Sequence, residues 1–387
     1  MEKNILVVNI GSSSKKYSFY TSGELVLSGH FEKDKELFEV TYGSEDPISI
    51  SKNVFNDSIS AFYNALHSRK IIEDGSIAVS AVGMRMVAPG LYFSENRLVD
   101  DAFMNMLTEA KREDSLHIEP IEKELERIKE IFGEVKVFAI SDSAFHRDMP
   151  VVSKNYALPK KIIEEFGLYR FGYHGISLAS ILSSLSRRGV PLEKKIIICH
   201  LGSGASVTAV LDGKSIETSM GYSPLEGLVM SSRIGSLDVG AVLRLFEKKD
   251  IPELRETFYS KSGLLAISGL SNDMRVLIDK EKEGHVGAKN AIDAFSYGVR
   301  KHIGMAVSAL NGVDLLIFSG TIGERSFIIR ERICKDLGWL NVQIDKEKND
   351  NAKSGDYISV YGSLGVCVLH SDEDLEIMRS VEGILLK

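Results

Sequence analysis

Two stretches of the chain repeat one pattern of apolar and polar positions. The run Ile5–Val8 meets Asn9, Ile10, Gly11 and three serines, then alternates through Tyr17 and Phe19 to Ser22-Gly23 and a further strand, ELVLSGHF. The run Ile196–Cys199 meets His200, Leu201 and Gly202, then alternates to Asp212-Gly213. Alternation marks half-buried strands, and Asp-Gly between them marks a hairpin. Each half is therefore expected to open with three antiparallel strands. Helical patterns and short apolar runs then take turns: ISAFYNALHSRK before SIAVSAVGMRMV, and KNAIDAFSYGVRKHIGMAVSAL before VDLLIFSG. A meander followed by alternating helix and strand predicts a mixed α/β domain, and its recurrence predicts a duplication.

Length agrees with that reading, because 387 residues exceed what one core usually supports. Apolar residues make up 44% and charged residues 26%, ordinary for a globular protein, and no apolar run is long enough to cross a bilayer. The start MEKNILVVNIG lacks the pattern of a secretory signal, so a cytoplasmic protein with no membrane association is expected. Three cysteines at unrelated spacings fit neither a disulfide framework nor a zinc site, and they read as buried, reduced thiols. A net charge of -7 argues against a broad nucleic-acid footprint, so an anionic ligand must be held by a local site.

The glycine and serine corners are where such a site is expected. A tight turn without bulky side chains lets several backbone N–H groups approach one phosphate, and serine hydroxyls add donors. Each corner alone reads equally as a plain hairpin; two copies, each bordered by a polar strand-end residue (Asn9, His200), point to a ligand with a chain of phosphates. Two domains side by side would bring the corners to a common cleft. The P-loop pattern is absent, since Thr208 stands where its first glycine should precede Gly213-Lys214-Ser215.

Eight longer motifs carry a resemblance: NIGSSSKKY, SDSAFHRDMP, FGYHGIS, CHLGSGAS, SMGYSPLEGLVMSSR, SGLLAISGLSNDMR, FSGTIGERS and SDEDLEIMR. In this order, over nearly the whole chain, they resemble the acetate kinases and their propionate and butyrate relatives, within the actin-like group. The resemblance implies an α/β fold of two duplicated actin-like (ribonuclease H-like) domains with a central cleft. The N-terminal domain would span 1–142 plus 371–387, and the C-terminal, nucleotide-binding domain 143–370. It implies reversible phosphoryl transfer between ATP and a short-chain carboxylate, acetate foremost, giving ADP and an acyl phosphate, with Mg2+ or Mn2+ and a homodimer.

The resemblance also implies roles. Arg85 would pair with the substrate carboxylate, a fork that lysine cannot reproduce. Arg233 would steady the transferring phosphoryl group, Asp142 would sit at the reacting centre, and His174 and His200 would contact phosphates. Glu373, with Asn9, would organise the metal through hard oxygen ligands. Ser12, Ser14, Lys16 and Asn9 fall on the phosphate side of the first corner, with Lys15 expected to point to solvent. Gly202, Ser203 and Gly204 belong to the second corner. Asp273, Met274 and Arg275, with Thr321, Ile322, Gly323 and Arg325, would enclose the nucleoside. Val87, Leu116, Tyr173 and Pro224 would line the acyl pocket.

Plain structural roles compete with these. Asp142 could cap a helix, and Ser371 with Asp374 forms a capping-box pattern that would leave Glu373 without a ligand role. The chain departs from the family where Ser203 and Arg325 replace Asn, Thr321 replaces Gly, and Tyr173 replaces Phe; a tyrosine hydroxyl would suit a more polar acid. Alternatives are a propionate, butyrate or other-donor acyl kinase, and a non-catalytic nucleotide-binding sensor of the same fold.

Overall fold

A computed structural model describes residues 3–11, 14–34, 37–72, 79–111, 115–192 and 194–386. The chain divides into two compact units, Met1–Ala144 with Asp372–Lys387, and Phe145–Ser371.

The first unit holds β1 (Asn4–Ile10), β2 (Ser14–Thr21), β3 (Glu24–Asp34), β4 (Leu37–Tyr42), β5 (Ile48–Ser49), β6 (Ala81–Met86), β7 (Arg97–Leu98) and β8 (Lys136–Ser141). They form one sheet in the order β5-β4-β3-β2-β1-β6-β8-β7. The meander β1-β2-β3 is antiparallel, while β6 and β8 join β1 in parallel. Tyr17, Phe31 and Phe62 lie in the core beneath the meander, the rings of Tyr17 and Phe62 stacked at 5.6 Å. The C-terminal helix Glu373–Leu385 packs on β1 and β6. It can do so closely because Gly83 carries no side chain: a methyl there would lie 2.7 Å from Ile377 and Val381. That approach sets the first turn of this helix beside the end of β1.

The second unit repeats the plan with β9 (Lys195–Leu201), β10 (Ala205–Leu211), β11 (Lys214–Thr218), β12 (Leu315–Ser319) and β13 (Gly365–Val368), ordered β11-β10-β9-β12-β13. Again three antiparallel strands are extended in parallel by two more. This is the duplicated actin-like plan. The parallel strands are covered on both faces, which explains their unbroken apolar runs. Ile196, Ile198, Leu315 and Ile317 pack against Leu178, Ile181 and Leu185 of the helix Gly175–Arg187. The long helix Val286–Leu310 contacts β9, β10 and β11. Both hairpins turn on the expected pairs, with positive φ at Ser22 (51°), Gly23 (85°), Asp212 (51°) and Gly213 (72°), as twisted two-residue loops require. All three cysteines are free and buried. Among the described residues no helix is long and apolar enough to cross a membrane.

Candidate functional site

In the first unit, strand ends bring a polar cluster together. Arg85 lies near the end of β6 and Asp142 directly follows β8, and the Asp142 N–H donates to Met86 O at 2.9 Å, so parallel pairing holds the two side by side. Arg85 Nη2 donates to Asp142 Oδ2 (3.2 Å), and its Nη1 donates to Glu373 Oε2 (3.2 Å) and Asn9 Oδ1 (3.3 Å). Asn9, at the end of β1, turns its amide N–H groups to Glu373 Oε2 (2.9 Å) and Asp374 Oδ1 (3.1 Å). Asp142 is therefore a guanidinium partner. Burial opposes the charge on Arg85, but Asp142 first, and Glu373 next, lift its pKa further above the ordinary arginine value. Arg85 Nε is buried and has no hydrogen-bond partner among the described residues. A buried donor left in that state favours an anion that can accept from it.

The sequence reading is corrected at two points here. Lys15 does not point to solvent; its ammonium pairs with the buried Glu124 at 3.2 Å, and Glu124 also accepts from Tyr17 OH at 2.6 Å. Lys16 is the exposed member of the pair, on the opposite pleat, where its charge acts on Asp374. The capping box of Ser371 and Asp374 does not form either. Asp372 is the cap, accepting from Leu375 N–H at 3.0 Å, while Asp374 accepts from Asn9 and from Ser18 Oγ (2.8 Å). Burial raises the Asp374 pKa, opposed by the hydrogen bonds from Asn9 and Ser18 and by Lys16. Ser18 is a polar group of this cluster that the sequence reading did not single out, and Asp374 is one that it read only as a cap.

Carboxylate and amide oxygens at Glu373, Asp374 and Asn9 are hard donors that suit magnesium. Among the described residues no three acidic, histidine or cysteine side chains group to hold a metal alone. Magnesium commonly takes one or two carboxylates and completes its shell with water and substrate phosphates, so the residues present fit it. Ser14 begins β2, and its carbonyl accepts from Gly11 N–H at 2.8 Å; Val87 follows β6, half-buried. Ser12 and the side chain of Leu116 lie outside the described residues.

In the second unit the corner after β9 gathers three cationic or titratable side chains. His200 lies beside Ser206 across the antiparallel pair, and Ser206 Oγ is 3.0 Å from His174 Nδ1. The two imidazole rings are 4.7 Å apart. A methyl on Gly204 would be 3.1 Å from His174 Nε2 and 3.6 Å from Arg233 Nη1, so both groups reach over the corner because residue 204 is glycine. The corner is closed by Gly202 N–H donating to Gly204 O (2.9 Å), and Ser203 O accepts from Ser231 N–H (3.1 Å), two residues before Arg233. A methyl on Gly202 would lie 4.0 Å from Thr321 N, so the helix Gly320–Arg325 begins against this corner. Glu324, within that helix, accepts from its first N–H at Gly320 (3.0 Å), and buried Arg330 donates to the carbonyls of Gly323 (2.9 Å) and Glu324 (2.7 Å). Ile322 is half-buried and Gly323 buried. Arg325 is exposed and makes no hydrogen bond or ion pair among the described residues.

Asp273 caps the helix Met274–Lys282, accepting from Arg275 N–H at 2.8 Å and pairing with the Arg275 guanidinium, whose hydrogen bonds lower its pKa. Met274 is buried and Arg275 exposed. Tyr173 is buried, and its hydroxyl donates to Tyr222 O at 2.8 Å. That bond uses the hydroxyl's one proton, so toward an acid it could act only as an acceptor. Pro224 is half-buried two residues beyond.

The sequence matches the acetokinase family over residues 4–379. It is 36% identical over 389 residues to the acetate kinase of Acetivibrio thermocellus, covering 97% of this chain and 98% of that one. Among solved structures, a propionate kinase from Francisella tularensis superposes with a TM-score of 0.88 at 31% identity, over 97% of this chain and 98% of the other. The acetate kinase of Porphyromonas gingivalis superposes with a TM-score of 0.86 at 28% identity, over 99% and 100%.

Proposed function

The chain belongs to the acetokinase family, a phosphotransferase family whose acceptor is a carboxyl group, and on that premise we propose the acid it uses and the residues that act on it. The substrates are a carboxylic acid and ATP or, in the reverse direction, acyl phosphate and ADP; acetate is the acid proposed. A carboxylate oxygen attacks the γ-phosphorus as the bond to the bridging oxygen of ADP breaks, forming acyl phosphate. No proton need move. The work left to the protein is alignment and charge.

Arg85 binds the acid through its fork, held in orientation by Asp142 and Glu373, with Nε available to the incoming anion. At the other substrate, the Gly202–Gly204 backbone cradles phosphates while His174, His200 and Arg233 supply donors to the oxygens of the moving group. The convergence of His174 and Arg233 on Gly204 is the observation that carries this reading. Ser12, Ser14 and Lys16 serve the phosphate side in the first unit. Ser203, Thr321, Ile322, Gly323 and Arg325, with Asp273, Met274 and Arg275, bind the nucleotide. Val87, Leu116, Tyr173 and Pro224 bound the acyl tail. Glu373 and Asn9 would hold magnesium, which supplies neutralisation of phosphate charge.

The protein is proposed to work in the cytoplasm, in keeping with three free thiols, without membrane or nucleic acid. It is also proposed to act as a homodimer. The helix Val239–Phe246 has no buried residue and exposes Val239, Leu243 and Phe246 at i, i+4 and i+7, an apolar stripe suited to a second copy. An activity matrix of donors against acids, read as acyl hydroxamate, tests the function. ATP with acetate is expected to lead. Propionate is the second acid to compare, since one solved relative is a propionate kinase. ATP binding by calorimetry with no transfer to any acid would replace the enzyme with a sensor.

A further inference from the structure

We propose that Tyr156 and Tyr173 are positioning residues whose two hydroxyls grip the main chain of Tyr222, fixing the loop that carries Pro224 and Arg233. Tyr222 is held at both main-chain polar groups: its N–H donates to Tyr156 OH (2.8 Å) and its carbonyl accepts from Tyr173 OH (2.8 Å). The preceding carbonyl, Gly221 O, accepts from the N–H groups of Phe171 (3.1 Å) and Gly172 (3.2 Å). The segment 171–173 is thus zipped to the start of the loop.

The grip is itself braced. Tyr156 OH donates to Glu226 Oε2 (2.5 Å), and Arg170 Nη1 pairs with Glu226 Oε1 (2.6 Å) while its guanidinium lies over the Tyr156 ring at 4.8 Å. Glu226 belongs to the same loop, four residues after Tyr222, so one tyrosine hydroxyl ties two of its points together. There is no room for a side chain at Gly221, where a methyl would collide with the Glu226 carboxylate and the Tyr156 hydroxyl. The far end of the loop is tied to the phosphate-type corner by Ser231 N–H on Ser203 O. Between these two anchors the chain carries Pro224, and Arg233 follows two residues beyond the second. Tyr173 also directly precedes His174, the N-terminal cap residue of the helix Gly175–Arg187. The same short segment therefore orients an imidazole at the corner and, through the hydroxyl of Tyr173, the loop bearing the guanidinium.

The consequence for acid selection rests on the function proposed above, in which Pro224 bounds the acyl tail. A loop held at both ends presents a wall of fixed position, and a wall that does not yield distinguishes acids by length. Removing the Tyr173 hydroxyl takes away its bond to the Tyr222 carbonyl without emptying the space of a ring.

The test compares wild type with Tyr173→Phe and Tyr156→Phe, measuring kcat and KM for acetate, propionate, butyrate and ATP, alongside Tm. For Tyr173→Phe the acid KM is expected to rise about five-fold, the free energy of one neutral hydrogen bond. The ratio of acetate to butyrate kcat/KM falls by a similar factor, while the ATP KM and Tm stay near wild type. An unchanged acid ratio, or an ATP KM rising in step with the acid KM, overturns the proposal. Should wild type phosphorylate no acid, the functional reading fails, and hydrogen exchange decides the grip separately. Faster exchange at residues 221–226 in Tyr173→Phe is expected, and wild-type exchange there refutes it.

Discussion

Replacing Gly204 with alanine separates what the corner does from what holds the unit together. Gly204 is not among the glycines with positive φ, so an alanine meets no backbone penalty. At such a position the substitution stabilises a fold by about 0.4–1 kcal/mol, through the entropy of the unfolded chain. Against this stands one tight contact: the new methyl would lie 3.1 Å from His174 Nε2 and 3.6 Å from Arg233 Nη1. The imidazole must move by a few tenths of an ångström, which costs little because it is the end of a side chain. Stability should therefore hold, with Tm within a few degrees of wild type. Function should not, because the methyl occupies the space through which backbone N–H groups reach an anion. Losing one hydrogen bond to a charged oxygen costs about 1.5–3 kcal/mol, or about ten- to a hundred-fold in kcat/KM for the nucleotide. The assay is steady-state phosphoryl transfer at varied ATP and fixed acid, with thermal unfolding of the same preparation. A variant folded as wild type and retaining kcat/KM within two-fold would refute the cradle.

Arg85→Lys keeps a charge but cannot make the forked set of bonds to Asp142, Glu373 and Asn9; the acid KM should rise more than ten-fold with the ATP KM little changed, and equal effects on both would count against its assignment. Burial pushes the thiols of Cys334 and Cys367 up to about 12 and that of Cys199 well above its usual value, so a thiol reagent at pH 8 should label none of the three in native protein and all three after denaturation. Rapid labelling of the native protein would contradict that burial. Glu217 is half-buried, and loss of solvent is the chief reason its carboxyl titrates above the usual carboxylate value. A raised carboxyl pKa contributes stability below the unfolded value and loses it as pH climbs through the folded one. Glu217→Gln should accordingly gain stability over wild type as pH rises from about 4 to 7, in urea titrations, and a difference independent of pH would refute the sign.

Local patterns announced the architecture because each depends on neighbours in sequence. Period-two alternation, the Ser-Gly and Asp-Gly turns and the apolar runs of β9 and β12 need no knowledge of what lies across the sheet. Glycine corners are legible for the same reason. What the pattern left open was the choice between equivalent local partners. Lys15 and Lys16 face opposite pleats of β2, and which one meets water depends on Glu124, more than a hundred residues away on a helix. Asp374 could have closed a box with Ser371, three residues before it. It turns instead to Asn9 and Ser18, because Gly83 lets the C-terminal helix settle onto β1 and β6 closely enough for the carboxylate to meet those strands. The cap then passes to Asp372, whose carboxylate reaches Leu375 N–H without leaving the helix start. A capping residue can be replaced by its neighbour at little cost, whereas the buried amide of Asn9 has few acceptors within reach. The less replaceable demand prevails.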